Sequence, residues 1–255
     1  MAVEDAMTRQ WIPLTEGEGP EAYLVLPEGR EPAGAVIVGG EMFGVTAHVR
    51  DICERLAAAG YAALAPDFYW RKARRAELSY DDAGRTEGRQ LMTALRSEEV
   101  LSDLAAARET ARKHAGSGGT AIIGFSLGGH IAVLGATGLS FDLVVSYYGG
   151  WLLDGGIPLA EPVAPAARSE AIAANTGFLL GFFGADDFVM SLDEWHRVGE
   201  RLRDAGVAHE QVTYNGVGHG FFCDERPETY DKAAAEDAWQ RTLDALARHV
   251  AVRPR

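Results

Sequence analysis

The stretch Ala121-Ile122-Ile123-Gly124-Phe125-Ser126-Leu127-Gly128-Gly129 decides the fold. An apolar run that reads as a buried strand leads into Ser126, and residues 127–135 read as a helix leading away. A strand-to-helix turn of this kind strains the central residue and lifts its side chain out of the sheet. Side chains two positions either side of the serine would crowd each other, so Gly124 and Gly128 relieve a clash. With 30 glycines in the chain, Gly-x-Ser-x-Gly alone recurs by chance; the flanking strand and helix, and the partners downstream, give it force.

Outward from this turn, strand-like and helix-like segments alternate. Residues 11–14 and 22–26 read as an N-terminal antiparallel pair. Strands follow at 35–38, 61–65, 143–147, 178–183 and 211–214. Helical periodicity runs through 49–59, 84–113, 192–205 and 233–250. Short turns between alternating strands and helices imply a mostly parallel sheet covered on both faces. Two less regular segments, 67–83 and 149–176, each follow a strand and are therefore expected at the carboxyl edge, where open α/β sheets bind ligands.

The 255 residues suit one α/β domain, 1–255, with no repeat or low-complexity linker. The net charge of -13 argues against nucleic acid or an anionic membrane as partner. The start of the chain, 1–10, carries Glu4 and Asp5 and no long apolar run, so it does not read as a secretory signal. No segment reaches the roughly 18 uninterrupted apolar residues of a membrane span. Two cysteines, Cys53 and Cys223, make no disulfide framework, and a reducing cytoplasm is the expected location. The spacing of His, Cys and carboxylates matches no metal motif, and no dinucleotide or phosphate-binding loop is present, so neither metal nor cofactor is expected.

A serine needs a base within hydrogen-bond reach and a third group to orient that base. Asp186 and Asp187 follow the strand at 178–183, and His219 follows the strand at 211–214 on a glycine-flanked loop. Singly, each residue has a bland reading: Ser126 as a helix N-cap, the aspartates as turn residues, His219 as an exposed loop histidine. Jointly, Ser126, an acid and His219 stand in the order Ser…Asp…His, each just after a strand. His130 is expected to point away from Ser126, and His48, near Glu41, reads as exposed, with a place lining the site as the alternative; His114, His196, His209 and His249 read as solvated, and Asp67 is a fallback acid that precedes the serine. The backbone N–H of Leu127, and one from the loop Gly39-Gly40-Glu41-Met42-Phe43-Gly44, here Met42, are the expected oxyanion donors.

The chain resembles the dienelactone hydrolase family of the α/β-hydrolases over about residues 21–250. The resemblance rests on Gly40-Glu41-Met42-Phe43-Gly44, Gly60-Tyr61-Ala62-Ala63-Leu64-Ala65-Pro66-Asp67, Gly124-Phe125-Ser126-Leu127-Gly128-Gly129, Asp186-Asp187-Phe188-Val189 and Gly218-His219-Gly220-Phe221. It implies an α/β-hydrolase fold and matches the family's acid to Asp186 rather than Asp187. The family's usual nucleophile is cysteine, where this chain has Ser126. The glutamate that helps switch that cysteine matches Glu41, a role that a serine leaves without an object. The family's prototypes hold a substrate carboxylate with two arginines. Arg85 matches one, while Cys223 stands at the other and Arg226 falls in a different register, which implies a weakened preference for anionic substrates. The segment 149–176 is longer than its family counterpart, with Trp151 an apolar contact or a core residue.

The expected activity is hydrolysis of small carboxylic esters or lactones by Ser126, His219 and Asp186, with Glu41, Arg85, Trp151 and Cys223 as substrate-binding candidates. The alternatives are a peptidase or perhydrolase on the same scaffold, or a binding protein with a vestigial site.

Overall fold

Short strands and helices alternate along the chain, and the strands join into one eight-stranded sheet. The computed structural model describes residues 7–251. Residues 1–6 and 252–255 lie outside the described residues, and with them most of the N-terminal stretch read as no secretory signal.

The strands are β1 (Thr8–Pro13), β2 (Glu21–Leu26), β3 (Ala35–Val38), β4 (Ala62–Pro66), β5 (Thr120–Phe125), β6 (Phe141–Tyr147), β7 (Thr176–Gly184) and β8 (His209–Tyr214). Their order is β1-β2-β4-β3-β5-β6-β7-β8. β2 runs antiparallel to β1 and β4, and every pairing from β4 to β8 is parallel. This is the α/β-hydrolase arrangement expected from the sequence, an antiparallel start followed by parallel strands. β3, β4 and β5 are buried at every position, because helices cover both faces of a parallel sheet.

Side-chain alternation divides the core into two layers. Ile37, Leu64, Ile122 and Val144 face α3 (Ser97–His114), α4 (Leu127–Ala136) and α6 (Leu192–Asp204). Val36, Ala63, Ile123 and Val145 face α1 (Ala47–Ala58) and α7 (Lys232–His249). Side-chain caps fix where most of these helices begin. The Thr46 hydroxyl accepts from the Val49 N–H for α1, Asp231 from the Ala234 N–H for α7, and Ser191 forms a capping box with Glu194 for α6.

The periodic run 84–113 is two helices rather than one. α2 (Asp82–Ala94) ends at Leu95 and Arg96, whose extended backbones restart the chain as α3. Leu95 is buried across the break, as are Met92 and Leu104 on either side of it, so the apolar period reads through. The irregular segment 149–176 contains two 3-10 turns and the short helix α5 (Ser169–Asn175), none of which has a clear period in the sequence. No helix among the described residues is long and apolar enough to cross a membrane.

Candidate active site

Parallel strands deliver their carboxyl ends to one edge, and Ser126, His219 and an aspartate all emerge there. Ser126 follows β5 directly and has φ +54° and ψ -112°, outside the ordinary regions for an L-residue. Its N–H donates to the Tyr147 carbonyl at 2.9 Å, and its carbonyl accepts the His130 N–H at 3.0 Å, so both sides of the turn are tied down. A side chain at Gly124 would collide with the Gly128 carbonyl oxygen, and one at Gly128 with the Gly40 carbonyl oxygen. The glycines of the motif are thus required by close backbone approach, as the sequence implies.

Ser126 Oγ lies 2.8 Å from His219 Nε2, and His219 Nδ1 lies 2.8 Å from Asp187 Oδ2. The carboxylate that reaches the histidine is therefore Asp187, and the expected Asp186 does not. The reason lies in the turn after β7. The Asp186 N–H donates to the Val217 carbonyl, which ties its backbone to the histidine loop while its side chain faces solvent. The Asp187 carboxylate turns inward, 1% exposed, and its other oxygen accepts the N–H groups of Val189 and Met190 at 2.7 and 3.3 Å. Tyr148 packs edge-on against the His219 ring at 5.1 Å, and Phe188 does the same at 5.3 Å. Phe188 is otherwise 81% exposed.

Ser126 and His219 open into a cavity of about 410 Å³. Its walls include Met42 and Phe43 from the loop after β3, Arg85 and Arg89 from α2, and Trp151 and Ile157 from the segment after β6. Met42 thus stands at the site, its carbonyl accepting the Tyr69 hydroxyl at 3.0 Å. Leu127 is the first residue of α4, one of the leading helical N–H groups that lack an intrahelical partner. Trp151 has φ +56°, lines the cavity and packs its partly buried ring against the core. Of the two irregular segments, 149–176 supplies a wall, while 67–83 braces the loop after β3 through Tyr69 and Tyr80.

Arg226 also lines the cavity, beside Arg85. The chain turns tightly after His219, with Arg226 N–H donating to the Cys223 carbonyl at 3.1 Å. Gly220, at φ +81°, has no side chain where the Arg226 guanidinium lies, 3.0 Å from the position a Cβ would take. That packing returns an out-of-register arginine to the pocket. Glu228 Oε1 lies 3.2 Å from Arg85 Nη2 and 3.9 Å from Arg226 Nε, and so holds the two cations together. Cys223 is fully buried and does not line the cavity, so its expected contact with substrate is not made directly. Arg226 was noted in the sequence only as out of register, and Arg89, Phe188 and Tyr148 were absent from the sequence-based candidates. For Arg89 the readable signal was its place four residues after Arg85 on one helix.

Glu41 lines the cavity but is buried, and burial pushes its carboxyl up to about 7 against the pull of nearby Arg226 and a Tyr80 hydroxyl at 3.4 Å. His48, read as exposed or as lining the site, is neither: it is 2% exposed in the first turn of α1, between the rings of Phe125 and Phe222, and does not line the cavity. Burial pulls its imidazole down to about 4 despite Asp224. The fold gathers Glu41, His48 and Cys223 so that their ligand-type atoms lie within 4.8 Å of one another, a grouping with no signature in the sequence spacing. His130 is buried and directs Nδ1 to the Gly150 carbonyl at 3.0 Å, away from Ser126 as expected. Asp67, the fallback acid, accepts the N–H groups of Tyr69 and Arg75 and acts as a turn brace.

A mostly parallel, helix-covered sheet with a strained serine turn and a histidine at the same edge defines an α/β-hydrolase. The dienelactone hydrolase family model matches residues 21–250, and the chain belongs to that family of hydrolases. It is 36% identical over 221 residues to a Synechocystis protein named "Putative carboxymethylenebutenolidase", covering 86% of this chain and 87% of that one. It is 28% identical to the carboxymethylenebutenolidase of Rhodococcus opacus, covering 93% and 90%. The crystal structure of a "Putative Dienelactone Hydrolase" from Klebsiella pneumoniae superposes with a TM-score of 0.82 at 32% identity, covering 95% of this chain and 99% of that one.

Proposed function

We propose that this hydrolase cleaves small carboxylic esters or lactones through a Ser126–His219–Asp187 triad and an acyl-enzyme. The observation that carries the reading is the unbroken hydrogen-bonded line from Ser126 Oγ through His219 to the buried Asp187 carboxylate. His219 Nε2 takes the Ser126 proton as Oγ attacks the carbonyl carbon, and the N–H groups of Leu127 and Met42 receive the oxyanion. Asp187 fixes the His219 tautomer and stabilises the imidazolium. His219 returns the proton to the leaving alkoxide, and a water activated by the same histidine releases the acid. In a lactone, leaving group and acid stay in one molecule.

The cavity also favours substrates that bear a free carboxylate. Arg85 and Arg226 lie on one wall of a largely apolar pocket, a setting in which a carboxylate gains charge-assisted hydrogen bonds. This replaces the weakened anion preference inferred from Cys223. The test is kcat/KM for one lactone as its free acid and as its methyl ester, with wild type, Arg226→Ala and Ser126→Ala. Ser126→Ala should lose on the order of a million-fold in turnover. Wild type should prefer the acid by roughly tenfold or more, and Arg226→Ala should lose that preference mainly through KM. Equal rates on acid and ester in wild type would remove the anion-binding role while leaving the triad standing. Retention of more than a few per cent of activity in Ser126→Ala would overturn the triad.

A further inference from the structure

Behind the loop that carries Met42, three side chains of unlike chemistry meet in the interior. Glu41, His48 and Cys223 are 4%, 2% and 0% exposed, and their ligand-type atoms all lie within 4.8 Å of each other. Glu41 Oε1 and His48 Nε2 make no hydrogen bond, and His48 Nδ1 faces only the Asp224 carboxylate at 3.4 Å without an aligned bond. Buried polar atoms are ordinarily satisfied, so unpartnered atoms gathered this closely call for a shared partner. Glu41 also lines the active-site cavity, so the cluster stands beside it.

We infer that Glu41, His48 and Cys223 form a site for a divalent transition metal ion of the zinc class. The donors are one carboxylate oxygen, one imidazole nitrogen and one sulfur, a mixture that suits zinc and excludes magnesium or calcium as natural occupants. Zinc bonds of about 2.0–2.3 Å place tetrahedral ligands roughly 3.5 Å apart. The spacing here closes to that by side-chain adjustments of about 1 Å. One thiolate and one carboxylate neutralise the ion's two charges, which makes its burial feasible. The thiol proton is released to solvent when the sulfur binds.

The surroundings have the features of an outer ligand shell. Asp224 Oδ1 lies 3.4 Å from His48 Nδ1, just beyond an aligned hydrogen bond. Drawn closer, it makes the carboxylate–histidine pair that commonly orients a metal-bound imidazole. The Tyr80 hydroxyl is 3.4 Å from Glu41 Oε2 and 3.1 Å from Thr46 Oγ1, and so steers the glutamate. The aromatic rings of Phe125 and Phe222 flank His48 and keep its environment dry.

The test uses the full chain, stripped with a chelator and titrated with Co²⁺ as a spectroscopic probe, then with Zn²⁺ in competition. One Co²⁺ per chain should bind, with thiolate-to-cobalt charge-transfer absorption and the visible bands of a four-coordinate ion. Cys223→Ser should abolish the charge-transfer band. Cys223→Ser and His48→Gln should each weaken Zn²⁺ binding beyond the roughly 10–100-fold cost of losing an outer-shell partner. Cys53→Ser, which removes the chain's other free thiol, should leave spectrum and affinity unchanged. Circular dichroism checks each fold, and His48→Gln carries the test if Cys223→Ser fails to fold. No stoichiometric thiolate spectrum in wild type, its loss in Cys53→Ser, or undiminished binding in His48→Gln would each overturn the site.

Discussion

At the scale of single residues, the sharpest outcome concerns two adjacent aspartates. The register of Asp186-Asp187-Phe188-Val189 points to the first, and the hydrogen bond at 2.8 Å belongs to the second. Asp187→Asn should cut turnover by about four orders of magnitude, since an amide holds the wrong histidine tautomer. Asp186→Asn, on an exposed side chain, should change turnover little. Steady-state kinetics on one activated ester checks both, and the reverse ranking would restore Asp186. The sequence could place a carboxylate after β7 but not decide between neighbours, because the turn geometry that sends one inward is set by a backbone bond to Val217 on another loop. Arg226 escaped for a similar reason, since its return to the pocket depends on the absent side chain of Gly220. His130 yields a prediction of another kind. Burial lowers its imidazole from 6.5 to about 4, so the unfolded chain takes up that proton first as pH falls. Stability present above pH 6.5 is therefore lost progressively toward pH 4, on the order of 3 kcal/mol from this group. Urea unfolding of wild type and His130→Asn across that range should show the flatter profile in the variant; parallel profiles would assign the acid loss elsewhere.

At the scale of elements, the strand-turn-helix around Ser126 was legible because three signals coincide: a β-branched run, paired glycines and a helix of small apolar residues. Strands β3, β4 and β5 were legible for the same reason, since burial on both faces leaves largely apolar runs. The break between α2 and α3 was not, because a buried Leu95 keeps the helical period across an extended backbone. The close approach at the motif has a measurable cost. Gly124→Ala would drive a methyl group into the Gly128 carbonyl, in a fully buried turn with no flexible neighbour to yield. It should destabilise the protein by about 1–3 kcal/mol, the usual range for overpacking, and displace Ser126 enough to lower kcat. Chemical denaturation and kinetics on the same sample check this. Unchanged stability would mean that the backbone there gives way more easily than the contact implies.

At the scale of the whole molecule, the proposed site draws its parts from distant stretches of chain, and the sheet alone brings them together. Ser126 follows β5, which has a partner on each side, whereas His219 follows β8, which among the described residues is paired only with β7. β8 is also half-exposed along its length. Nucleophile and base thus sit on ground of unequal firmness. Local opening draws on the least-paired elements first, well before global unfolding. The base should therefore drift from the serine while the central strands are still intact. Heating should silence ester hydrolysis at a temperature below the midpoint reported by tryptophan fluorescence or far-UV circular dichroism. Amide hydrogens of β8 should exchange faster than those of β5. Coincident loss of activity and structure would show instead that the margin of the sheet melts as one with its centre. An outermost strand bearing half of the working pair makes catalysis itself an early thermometer for the fold.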